Sequence, residues 1–392
     1  MDGHGTGVTK LLIIISSMTF GGAEMQTLEL ANGLVDKGYD IEIAVLDHKQ
    51  EIIDKGRREI RFHILKKKSY LDWQVVKALK ERLHVFQPHL VLCVDLYPAM
   101  YFRLATHRGD YNPPVATVFH STLPRNTKER LQRAFLTRLL KKDNRLVFVS
   151  EKQMHYWLKV YKPLHQHDAR YIHNGIRLER FTTYLEETET ITETRQKLGY
   201  SPENVIIGNC SSFRVEKRHQ DLLESVHQLK NAGYPVKLLL IGDGDQRPGI
   251  DARIRELGME AEVYITGHIS DVRPYLSLVD VFVLTSDSVE TLSIAAIESQ
   301  AMKKAAVLSD IGGASEIVQE GVNGFLYPAG DVAQLTDRLE KIMQDQRWKP
   351  MGEAAYHHAR RYFDHRQMVE GYYQLLTEMK EGNHGRSVRI PD

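Results

Sequence analysis

The chain has 392 residues, with 52 Lys+Arg, 51 Asp+Glu and a net charge of +1. That length supports two domains with separate cores, and the composition is ordinary for a soluble globular protein. No apolar run approaches the length of a membrane span, and the two cysteines, Cys93 and Cys210, lack metal-ligand spacing and read as buried small hydrophobes in a reducing compartment.

Charge is distributed unevenly. Residues 1–170 hold 27 basic and 18 acidic residues, a balance of +9, and the remainder hold 25 and 33, a balance of −8. Either the first half presents a basic face or the charges are merely scattered. No nucleic-acid recognition motif accompanies them, so nucleic acid is not an expected partner.

Along the chain, 10–15 reads as a buried first strand; its five-residue apolar run, 11–15, is too short for a signal h-region. A cytoplasmic protein is expected, either free or peripheral on the inner face of the cell membrane. Gly21-Gly22-Ala23-Glu24 follows as a tight turn, and 25–37 repeats apolar residues at helical spacing up to Gly38. Strands are expected at 41–46, 90–94, 115–119 and 146–149, with helices between. This alternation argues for a parallel sheet covered on both faces. After an acidic, Thr-rich stretch at 182–194, which is either a linker or a short surface helix, the pattern repeats. The second set of strands is expected at 205–210, 236–241, 263–266, 279–284 and 306–309. The expected division is a first domain at 1–180, a linker at 181–198, a second domain at 199–365, a helix at 366–380 that packs back on the first domain, and a flexible polar tail at 381–392.

The most informative residues are Glu290 and Glu298. They flank the start of a helix-like stretch at 292–302, which follows the strand at 279–284. Eight helical residues span about 12 Å, close to the reach from a sugar to the ribose of a nucleotide sugar. Between the two acids, the helix start at Thr291, Leu292 and Ser293 offers free backbone N–H groups to a diphosphate. Glu pairs at this spacing are otherwise usually solvated surface residues. Other candidates also sit at strand ends. His120 ends the strand at 115–119, where α/β ligands collect, although a lone His is often structural. Ser212-Phe213-Arg214-Val215-Glu216-Lys217-Arg218 follows the strand at 205–210, and Arg214 and Lys217 there either meet a diphosphate or form a surface charge run. Gly242-Asp243-Gly244-Asp245 is not a dinucleotide fingerprint, because Arg247 stands where the third glycine would be.

In order along the chain, these motifs resemble those of family 4 retaining glycosyltransferases. The resemblance rests on the E-x7-E of Glu290 and Glu298, the Gly-Gly-x-Glu at 21–24, His120, His173-Asn174-Gly175-Ile176, the Phe-Arg-x-x-Lys-Arg form at 213–218 and the Gly-x-Gly at 242–244. Gly267-His268-Ile269, Asp310-Ile311-Gly312-Gly313 and Glu320-Gly321-Val322-Asn323-Gly324-Phe325-Leu326 extend it, the last as a hairpin-like turn. The resemblance implies a GT-B fold, in which two Rossmann-like, doubly wound parallel-sheet domains face a cleft. It implies that Gly21 and Gly22 face donor phosphates or acceptor, that the backbone around Gly267, His268 and Ile269 meets the nucleobase, and that Gly242 and Ser212 lie in the donor site. Glu298 would hold the ribose and Glu290 the donor sugar, with Arg214, Lys217 and the helix start stabilising the departing diphosphate and His120 lining the reaction centre. Many relatives have an Arg at the place of Ser212 and a Gly at that of Thr291.

The implied reaction is transfer with retention from a nucleotide-diphosphate sugar, which serves as co-substrate, to a glycan or lipid-linked acceptor. Cations and backbone dipoles replace a metal in this reading, so neither metal nor cofactor is expected. Alternatives are an epimerase on the same fold and a non-catalytic nucleotide-sugar-binding protein. Finally, 128–142 is basic and amphipathic, and Lys66-Lys67-Lys68 adds charge. Its apolar residues Leu131, Phe135 and Leu139 either face the core or meet an anionic membrane surface.

Overall fold

The computed structural model describes residues 8–19, 21–107, 109, 111–124, 126–182, 184, 188–288 and 290–382. The tail expected as flexible lies, from residue 383 onward, outside these residues, as does Val289. The chain forms two compact units, one made of 1–175 with 365–392 and the other of 176–364.

The first unit is a seven-stranded, all-parallel sheet built from β1 (Thr9–Ile15), β2 (Tyr39–Val45), β3 (Arg61–Ile64), β4 (Leu90–Val94), β5 (Val115–Phe119), β6 (Arg145–Phe148) and β7 (Ala169–Tyr171), in the order β3-β2-β1-β4-β5-β6-β7. β4 and β5 are buried throughout and β1 from Leu11 to Ile15, as near-continuous apolar runs must be when both faces of a parallel sheet are covered. The helices are α1 (Gly22–Asp36), α2 (Trp73–Phe86), α3 (Leu96–Ala105), α4 (Thr127–Thr137) and α5 (Glu151–Val160).

In the second unit, α6 (Glu179–Thr182) and α7 (Thr188–Lys197) precede the sheet, so the Thr-rich stretch is partly helical. The strands are β8 (Val205–Cys210), β9 (Val236–Ile241), β10 (Val263–Ile265), β11 (Val281–Leu284), β12 (Ala305–Ser309) and β13 (Gly324–Tyr327). Their order is β10-β9-β8-β11-β12-β13, again parallel throughout. The helices here are α8 (His219–Asn231), α9 (Arg247–Glu256), α10 (Arg273–Leu276), α11 (Ile294–Ala301), α12 (Ala314–Ile317), α13 (Val332–Met343) and α14 (Trp348–Tyr362). A last helix, α15 (His365–Lys380), belongs to the first unit and packs on α1. Two doubly wound parallel sheets on one chain are the architecture of a GT-B fold.

The expected hairpin-like turn at 320–326 is not a hairpin. Its second half is β13, which pairs parallel to β12 from Gly324 to Tyr327. The helix near the acidic pair also begins later than expected, at Ile294. Only Glu298 is therefore helical, little more than one turn in, and the two acids are not separated by two turns of helix.

Candidate active site

In each sheet the strand order reverses direction at one place, between β1 and β4 in the first unit and between β8 and β11 in the second. The loops leaving such a switch point diverge to opposite faces and open a crevice at the strands' carboxyl ends. Gly21, Gly22, Arg214, Lys217, Glu290 and Glu298 lie on segments leaving these strands, His120 follows β5 beside β4, Gly242 follows β9 and Gly267, His268 and Ile269 follow the edge strand β10.

In the second unit, the loop after β8 and the loop after β11 are stitched together. The Thr285 hydroxyl donates to the Lys217 carbonyl at 2.7 Å, and the Asp287 N–H donates to the Glu216 carbonyl at 3.0 Å. Across this seam the Lys217 ammonium meets the Glu290 carboxylate at 2.6 Å, with side-chain exposures of 18% and 17%. The Ser286 hydroxyl donates to the same carboxylate oxygen at 3.2 Å. Two residues expected to hold different parts of a donor thus hold each other. A pair this little exposed attracts strongly and orders both loops, and removing one member leaves the other charge uncompensated.

The Glu290 loop is braced from behind by Gly312. Its φ of 53° is left-handed, and a Cβ there would stand 2.0 Å from the Glu290 carbonyl oxygen. The Gly313 N–H donates to the Thr291 carbonyl at 2.6 Å. Thr291 itself is partly exposed, whereas Leu292 and Ser293 turn inward. Ser293 is the N-cap of α11, its hydroxyl accepting from the Ala296 N–H at 3.3 Å. Neither of these two side chains is therefore free on the surface.

Glu298 has no hydrogen-bond partner among the described residues, and Arg180 is the opposing charge it feels. Burial pushes its carboxyl up to about 7, with Arg180 pulling the other way. The Cys210 thiol, at the end of β8, is pushed up to about 12 by burial and by the charge of Glu298. Arg214 is exposed and likewise has no ion pair among the described residues. Ser212 is exposed beside it, while Phe213 is buried, with its N–H donating to the Asp243 carbonyl at 2.8 Å. The Gly242 and Gly267 turns join in an isolated antiparallel bridge that leaves His268 exposed and Ile269 partly so.

In the first unit, the carboxylate of Glu24 folds back over the turn and accepts from the Ser17 hydroxyl at 3.0 Å. A Cβ on Gly21 would lie 2.3 Å from that carboxylate, the flexible end of a side chain that can turn aside, so packing alone does not require a glycine there. Gly22 has no such neighbour within 4 Å, so packing does not require its bare Cα, and the start of α1 is left open for close approach. His120 ends β5, and burial drives its imidazole down to about 4, against the pull of Glu24, so it is neutral at pH 7.

Sequence reasoning missed Asp95. It ends β4 at the switch point with φ 71° and ψ 170°, a region that essentially only glycine occupies. Its carboxylate accepts the His120 N–H at 3.2 Å, and burial pushes its carboxyl up to about 6. An acid closing the apolar run at 90–94 was the available signal.

Comparison with known proteins agrees with this architecture. Residues 190–360 match the glycosyl transferases group 1 family and residues 20–180 match Glycosyltransferase Family 4. Together they cover most of the chain, which belongs to the family 4 glycosyltransferases of GT-B fold. The crystal structure of HepE from Anabaena in complex with UDP superposes with a TM-score of 0.81 at 19% identity, covering 94% of this chain and 100% of that one. Among curated proteins, the N-acetyl-alpha-D-glucosaminyl L-malate synthase of Bacillus anthracis is 27% identical over 49% of this chain and 51% of its own length. The lipopolysaccharide core biosynthesis glycosyltransferase LpsE of Rhizobium meliloti is 28% identical over 47% and 53%. The chain thus spans about half the length of the curated relatives it matches. Among the described residues, no helix is long and apolar enough to cross a membrane.

Proposed function

We propose that the protein is a retaining glycosyltransferase that moves a sugar from a nucleotide-diphosphate sugar to a glycan or lipid-linked acceptor in cell-surface polysaccharide or lipopolysaccharide biosynthesis. The observation that carries this reading is the second unit's switch point, where Glu298 and the exposed Arg214, neither of them paired among the described residues, and the Lys217–Glu290 pair stand on α11 and on the loops after β8 and β11. An unpartnered carboxylate at Glu298 suits ribose hydroxyls, which would donate to it. Arg214, Lys217 and the first N–H groups of α11 suit a diphosphate, whose charge grows as the sugar leaves. Glu290 would turn from Lys217 toward the sugar hydroxyls. In the first unit, neutral His120 and Asp95 supply hydrogen-bonding groups for an acceptor, with no metal required. The HepE complexes with UDP and with UDP-glucose favour a uridine donor.

Saturation-transfer NMR against UDP-, GDP-, ADP- and CDP-sugars tests the donor, with Glu298→Ala as control. A signal from one nucleotide sugar that the variant loses is expected; equal signals in both would overturn the assignment of Glu298. Lys217→Ala should weaken donor binding, since Glu290 is left uncompensated beside the diphosphate, and lose a further factor of about 10²–10³ in turnover, as removal of a donor to developing negative charge does. An epimerase would convert the donor sugar in the absence of acceptor, whereas a transferase releases only a little free sugar, so product analysis without acceptor separates the two.

A further inference from the structure

Leu131 and Phe135 are not core residues. They are 67% and 60% exposed, one helical turn apart on the outer face of α4, and Lys128 and Arg138 continue the same stripe at either end. Beside them, Tyr70, Leu71 and Trp73 are also exposed, Trp73 by 64%. The two segments touch, since the Gln132 amide donates to the Tyr70 hydroxyl and Tyr70 packs against Tyr97 of α3 at 4.9 Å. Singly exposed apolar residues need no explanation, but five adjoining ones mark a surface that something covers.

The charges around this patch identify the occupant. Lys66, Lys68, Lys128, Arg130 and Arg138 are exposed and have no ion pair among the described residues. The acids of both segments are engaged. Glu129 pairs with the buried Arg133 at 2.6 Å, and Asp72 caps α2, accepting N–H groups from Lys68 and Gln74 at 3.0 Å. What remains outward is apolar and aromatic side chains inside a ring of cations, the composition of an interfacial helix on anionic lipid.

We infer that this face of the first unit docks on an anionic lipid bilayer, with Leu131, Phe135 and Trp73 entering the interface and the lysines and arginines meeting lipid headgroups. The inner side of the same helix connects the surface to the candidate acceptor site. Arg133 donates to the carbonyls of Thr122 at 2.9 Å and Leu123 at 3.3 Å and to the Ser121 hydroxyl at 3.0 Å, and so holds the loop that follows His120. A docked α4 would present His120 to a lipid-linked acceptor. That last step rests on the proposed function; the docking itself does not.

The test is co-sedimentation of the full-length protein with phosphatidylcholine vesicles with and without phosphatidylglycerol, at low and high salt. Tryptophan emission is read in parallel. Binding to anionic vesicles that falls steeply with salt is expected, with a blue shift. Trp73→Phe should abolish the shift while retaining most of the binding. Leu131→Glu with Phe135→Glu should weaken binding at least about tenfold, with the melting temperature and donor binding unchanged. Absence of binding to anionic vesicles at low salt, or equal binding by the double variant, overturns the inference. So does a concentration-dependent dimer that the double variant abolishes, which would make a second copy the occupant. A vesicle-binding protein without transferase activity would refute the proposed function and leave the docking surface standing.

Discussion

At the scale of single residues, Glu298 combines a cost with an opportunity. An acid held near 7 by burial is protonated on part of the molecules at neutral pH, and its ionised form is the better acceptor for ribose hydroxyls. Donor affinity should therefore rise with pH through about 7, falling roughly tenfold one unit below the transition, where about a tenth of the acid is ionised. A nucleotide-diphosphate sugar, whose phosphates do not titrate there, is the ligand to titrate between pH 5.5 and 8.5. Glu298→Gln should flatten the profile. The sign for stability is opposite. A carboxyl with a folded-state pKa raised above its unfolded value favours folding below its ordinary range and loses that contribution as pH rises through the folded value. Glu298→Gln should consequently melt higher than the native protein at pH 8, by about 2 °C or more, while binding donor less well. A variant that lost both stability and affinity would make Glu298 a structural residue.

At the scale of elements, loops carried the legible part of the site and long-range pairing carried the rest. The glycine turns, the N-cap region of α11 and the acids at 290 and 298 announce themselves because turn geometry and helix starts constrain residue type locally. The Lys217–Glu290 pair does not, since it joins residues 73 apart in sequence. Three strands escaped notice for local reasons. β3 and β7 are short and carry Arg61 and Arg170, and β13 begins within Asn323-Gly324, which reads as a turn. The outward face of α4 was ambiguous because its periodicity fits either a buried or a lipid-facing stripe. The Gly312 brace shows an element shaping chemistry. Gly312→Ala forces a Cβ against the Glu290 carbonyl in a left-handed backbone, at a cost of about 1–3 kcal/mol. The loop should relieve this by shifting Glu290 away from Lys217. Turnover should then drop by more than tenfold while the rest of the second unit stays folded, as circular dichroism and donor titration would show. A variant that loses stability but keeps turnover in its folded fraction would separate the brace from the site.

At the scale of the whole molecule, the first unit is completed by the far end of the chain. Met368, Val369, Tyr372, Leu375, Leu376 and Met379 of α15 are buried, and Val369 sits so close to α1 that a Cβ on Gly33 would lie 2.3 Å from its methyl. Around this contact, Tyr39 meets Tyr373 edge-on at 6.2 Å, Lys37 pairs with Glu370 at 2.6 Å and Arg170 with Glu378 at 2.8 Å. The exposed ion pairs add little. The six apolar side chains add roughly 10 kcal/mol or more of gross burial, comparable with the whole net stability of a domain. Ending the chain at Asp364 should therefore unfold the first unit and leave the second able to bind donor. Limited proteolysis followed by mass spectrometry reads this directly, with cuts expected within 8–175 and a resistant fragment near 176–364. Gly33→Val, which wedges α1 from α15 without shortening the chain, should give a weaker form of the same pattern. A truncated protein with both units protected would show that α15 is dispensable, and the buried contacts with Gly33 and Tyr39 would then have to be replaced from within the first 175 residues.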